Sequence, residues 1–96
     1  MKLSEVTVAN AIGQAKEDAE DADIFSDFTV FLEAAKGFIL SYTGLTLEQA
    51  DTKPELTIAL FVLINEMHDN RSYTVKEDKI NPAVKTILEM HSVSLL

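Results

Sequence analysis

The hydrophobic positions repeat with a helical period along most of the chain. Between about residues 24 and 43, Ile24, Phe28, Phe31, Leu32, Ala35, Phe38, Ile39 and Tyr42 fall on one face at about 100° per residue. This predicts a long amphipathic helix, with Gly44 as its left-handed stop. A shorter helix is expected before it, through Val6, Val8, Ala9 and Ile12, capped by Ser4 and ending near Gly13. Residues 15–22 read as an acidic connection, with Asp21 or Asp23 as the next cap.

Residues 45–51 read as a loop. Thr52-Lys53-Pro54-Glu55 has the spacing of a capping box with Pro in the first turn, so a third helix is expected from there to about Asn70. Its run Ile58 to Ile64 is apolar on every side, which makes it the expected central and most buried helix. A short strand is the competing reading of that run, but the capped helical frame around it is longer. Residues 72–80 form a polar excursion with room for a short extended piece. Asn81-Pro82 then opens a last helix with the stripe Val84, Ile87, Leu88 and His91. The tail Ser92 to Leu96 is apolar with no visible partner. The predicted fold is therefore all-α, a single domain over residues 1–96 built as a small bundle of about four helices.

Composition narrows the function. The chain has 96 residues, 47% of them apolar, which suffices for one core. The absence of cysteine excludes a disulfide scaffold, a thiolate zinc site and a Cys nucleophile. A net charge of −8 opposes nonspecific nucleic-acid binding and docking on an anionic membrane. The longest apolar run, seven residues, falls far short of the roughly 20 that a membrane span needs.

The charge is concentrated. Residues 1–51 carry ten acids and three bases, and most of the excess is Glu17, Asp18, Glu20, Asp21, Asp23 and Asp27. An EF-hand register fails there: from Asp21, Phe25 and Ser26 stand where an acid and the glycine are required. The cluster therefore reads as a solvated, helix-capping segment. His68 and His91 lack the Glu-x-x-His spacing of a di-iron bundle, since Asn65 and Leu88 stand three residues before them. No nucleophile elbow or phosphate loop is present, and no face carries the Arg, Lys, Asn and Gln of a DNA-reading helix. No catalytic residue, metal or cofactor is expected.

A second apolar face is expected on the long helix, where Val30, Gly37 and Leu40 lie opposite the core stripe beside Glu33. The tail residues Val93, Leu95 and Leu96 add to it. Arg71 has two readings: it caps or pairs within its own helix end, or it contacts a neighbouring subunit.

In order and spacing, several blocks resemble one known family. They are Phe31-Leu32-Glu33-Ala34-Ala35 leading to Tyr42-Thr43-Gly44, then Pro54-Glu55-Leu56 and an apolar helix with Ala59, closed by Asn70-Arg71. The family is the head–tail connector, or head-completion adaptor, of tailed bacteriophages and prophages, and the resemblance covers about residues 4–91. It implies a non-enzymatic ring, commonly twelvefold, at the head–tail junction of the virion. Its partners would be copies of itself, the portal protein and the downstream connector or tail protein, with DNA passing through the lumen. Members often finish the last helix with Arg or Lys, where this chain has His91 and an apolar tail. In such a ring the Glu17–Asp27 cluster, or the 72–80 loop, would face the lumen and repel phosphates. The alternative function is a small acidic binding module, or DNA mimic, that inhibits a host protein.

Overall fold

Asp21 opens the long helix, its carboxylate accepting hydrogen bonds from the amides of Asp23 and Ile24 at 2.9 and 3.2 Å. The helix closes at Gly44, whose φ of +73° places it in the left-handed region and whose amide donates to the Leu40 carbonyl. In the computed structural model, residues 1–75 and 79–93 are described. They form a 3-10 turn, Leu3–Glu5, and five helices: α1 (Val8–Gln14), α2 (Ala22–Thr43), α3 (Leu47–Ala50), α4 (Pro54–Asp69) and α5 (Pro82–His91). No strand occurs among the described residues. Four helices have seven residues or more, which agrees with the small all-α bundle that the pattern predicts.

The main helix–helix contact is between α2 and α4, and both α1 and α5 pack on that pair. The core joins Phe28, Phe31, Ala35 and Ile39 of α2 to Leu56, Leu60, Leu63 and Ile64 of α4. Full burial of a side chain of this size contributes about 1.5–3 kcal/mol relative to exposure. The expected stripe of α5 holds, with Val84 and Leu88 buried and Ile87 packed against the core. Asn81 caps it by accepting from the Ala83 amide, ahead of Pro82 at the first helical position.

Several expectations need correction. Ser4 does not cap α1. Thr7 does, in a reciprocal box with Asn10, while the Ser4 amide and hydroxyl both donate to the Asp51 carboxylate at 2.9 and 2.6 Å. These bonds hold the Asp51 carboxyl below its ordinary range. The 45–51 loop contains the single-turn α3, capped by Thr46 and Gln49. Thr52 closes that turn by donating to the Gln49 carbonyl, so the expected capping box does not form and Lys53 precedes Pro54 with no side-chain cap. The apolar run of α4 is not buried on every side, because Ile58 is 58% exposed.

The N-terminal segment is fastened at four places. Leu3 and Val6 are buried, Thr57 donates to the Met1 carbonyl, Lys36 donates to the Val6 carbonyl, and Asp51 holds Ser4. At the other end, the Val93 amide donates to the Thr43 carbonyl at 2.8 Å, so the start of the tail is tied to the end of α2.

Candidate functional site

Two helix ends meet beside the acidic cluster. At the end of α1, Lys16 adopts a left-handed φ of 59°; its amide donates to the Gly13 carbonyl and the Glu17 amide to the Ile12 carbonyl. At the end of α4, Arg71 adopts a φ of 53°; its amide donates to the His68 carbonyl and the Ser72 amide to the Met67 carbonyl. Both are Schellman closures with a basic residue where glycine is usual. Glu17, just past the first closure, meets His68 of the last turn of α4, with Oε1 and Nε2 3.1 Å apart.

The imidazole of His68 is mostly buried and lies against Phe28, with ring centroids 5.0 Å apart, and Phe31, at 6.2 Å. Tyr73 stacks on Phe31 at 5.4 Å, and its hydroxyl donates to Asp27 at 3.1 Å. That bond and the Asp27 charge push the Tyr73 phenol above its ordinary range. The acidic segment is thus joined to an aromatic layer that closes one end of the α2–α4 core. A second imidazole–carboxylate pair, His91 with Glu55 at 2.6 Å, joins the end of α5 to the start of α4.

This accounts for much of the acidic cluster. Glu17 meets His68, Asp18 accepts from the Glu20 amide, Asp21 caps α2, and Asp27 accepts from Tyr73. Glu20 and Asp23 are exposed and have no side-chain partner among the described residues, and Asp23 lies in the first turn of α2 where its charge suits the helix dipole. No group of three or more His, Cys, Asp or Glu side chains is placed to hold a metal among the described residues.

The predicted contact residues separate. Val30 and Gly37 are exposed on α2, and a Cβ on Gly37 would meet nothing within 4 Å. Leu40 is half-buried and packs against the core, so it leaves the outer face. Arg71 closes α4 through its backbone. Val93 is 44% exposed, and Leu95 and Leu96 lie outside the described residues.

Sequence reasoning missed an open groove of about 760 Å³ between α1 and α4. Ala9 and Gly13 of α1 and Ile58 and Phe61 of α4 line it, Met1 stands at its edge, and Lys16 is its charged side chain. A smaller cleft of about 390 Å³ is lined by Leu63, Glu66 and Met67 of α4 and by Val75 and Ile80. The clue to the groove was present in the apolar run of α4, which has more apolar faces than one core can cover. Comparison with protein-family models, with curated proteins and with solved structures finds no match to the chain.

Proposed function

We propose that the chain is a structural subunit of a tailed phage or prophage, forming a ring that joins the portal of the DNA-filled head to the tail or the next connector. What carries the reading is the use made of the two most specific family-like blocks. Tyr42-Thr43-Gly44 closes α2, and Asn70-Arg71 closes α4. The resemblance therefore falls on the corners that define this bundle and not on scattered surface positions. A ring subunit needs two different contact faces. Exposed apolar side chains occur both on α4 and the N-terminal segment, at Ile58 and Met1, and on α5 and its tail, at Met90 and Val93.

The acidic surface suits a lumen, since a ring of subunits at −8 each would repel phosphates and let DNA slide. Sedimentation with and without a phage portal protein tests the proposal. A connector gives ring-sized species, alone or on the portal. A small acidic inhibitor stays a monomer or dimer under both conditions.

A further inference from the structure

Among the described residues, two side-chain atoms are buried without a hydrogen-bond partner, Oδ1 of Asn65 and Nδ1 of His68. Both belong to α4, three residues apart, so their side chains are neighbours on one side of the helix. Nε2 of His68 faces the Glu17 carboxylate at 3.1 Å. A carboxylate only accepts, so Nε2 carries the ring's proton and Nδ1 of the neutral imidazole is a bare acceptor. It stands beside a second bare acceptor, Oδ1 of Asn65. Buried polar atoms are as a rule paired, and one proton pairs both of these. Placed on Nδ1, it makes a donor for Oδ1, and it also turns the Glu17 contact into a charge-assisted bond.

The remaining surroundings of the ring do not compete for that proton. From α2 it meets Phe28 and Phe31, and the nearby Asp27 is engaged by the Tyr73 hydroxyl. From the α1 closure come Glu17 and, before it in the chain, the exposed Lys16. The chain after α4 adds the exposed Asp69, Arg71 and Tyr73, with the Arg71 amide donating to the His68 carbonyl. His91, the other imidazole, has its Nε2 on Glu55 at 2.6 Å and no buried unpartnered atom.

We propose that His68 is a proton-operated clasp between the α1–α2 connection and the last turn of α4. Protonated, the ring holds Glu17 through Nε2 and Asn65 through Nδ1. Deprotonated, it keeps Glu17 through a neutral bond and leaves Asn65 unpaired. Imidazole is the side chain that changes charge near neutral pH, so mild acid tightens the clasp and mild base slackens it. The clasp belongs to the single chain and operates whatever the chain assembles with.

Nitrogen-15 NMR of the two imidazoles in the full chain, titrated over about pH 5–8, tests this, with His91 as the internal reference. In the unaltered chain the Nδ1 proton of His68 should exchange slowly with water and should appear as the ring titrates. Asn65→Leu and Glu17→Gln should each move the His68 titration to lower pH and leave that of His91 in place. Circular dichroism checks that each variant is folded, and the Nδ1 signal of the unaltered chain decides the matter if Asn65→Leu is not. A His68 titration unmoved in folded Asn65→Leu would overturn the clasp. So would an Nδ1 that stays unprotonated through the His91 titration, whether bare or bridged to Asn65 by a bound water.

Discussion

The carboxylate of Glu17 lies 3.1 Å from Nε2 of His68, across 51 residues of sequence. Glu17 reaches this position just after Lys16 turns the chain out of α1 in a left-handed conformation, and His68 from the last turn of α4, where its ring packs on Phe28 and Phe31. The pair links the acidic cluster to the aromatic end of the core.

The two members of the pair should contribute unequally. Glu17 is over a third exposed, so Glu17→Gln should cost at most about 1 kcal/mol. His68 packs on two phenylalanine rings, and His68→Ala should cost about 2–4 kcal/mol through lost packing. Urea unfolding of the two single variants and the double variant measures both values and their coupling.

The left-handed residues give a stability gain on substitution. Lys16 and Arg71 hold φ values of 59° and 53°, which cost an L-residue roughly 1 kcal/mol relative to glycine. Arg71→Gly should therefore raise the melting temperature. If the more stable variant also loses assembly, the Arg71 side chain contacts a neighbour; if it assembles normally, its role is confined to closing α4.

The Tyr73 phenol has a raised pKa in the folded chain, caused first by its hydrogen bond to Asp27 and then by the Asp27 charge. Its folded value lies above the unfolded value of about 10. The stability it contributes is therefore fully present below pH 10 and is lost as pH rises through the folded value. Ultraviolet titration of phenolate formation in a Tyr42→Phe background should show late ionisation of Tyr73. Asp27→Asn should move that ionisation to lower pH.

Much of the architecture was legible because amphipathic periodicity and stop signals act locally. The α2 stripe, Gly44 and the Asn81-Pro82 start are fixed by residues within a turn or two of each other. Three features were not legible in this way. Ser4 resembles a cap, yet its hydroxyl is taken by Asp51, 47 residues away. Thr52 resembles the start of a capping box, yet it closes α3. The run Ile58–Ile64 has no polar position to mark its outward side, so periodicity could not show that Ile58 faces solvent. The groove was hidden for that same reason, and the Glu17–His68 contact because it depends on how two helix ends meet.

Within the acidic cluster, Glu20 and Asp23 are the exposed carboxylates with no side-chain partner among the described residues, so they can be neutralised without breaking a contact of the fold. Their joint neutralisation, Glu20→Gln with Asp23→Asn, should leave folding and assembly intact and impair genome retention or ejection. Neutralising Asp21 should instead lower stability by about 1 kcal/mol, because it caps α2. Thermal unfolding of the isolated protein and phage titre separate the two effects, and an unchanged titre for the Glu20/Asp23 double variant would contradict the lumen assignment.

The central claim, the proposal that this bundle is a ring subunit at a head–tail junction, is tested most directly by analytical ultracentrifugation of the chain alone and with a phage portal protein. The account predicts a ring-sized species in at least one of the two samples. A chain that remains a monomer or dimer in both would contradict it.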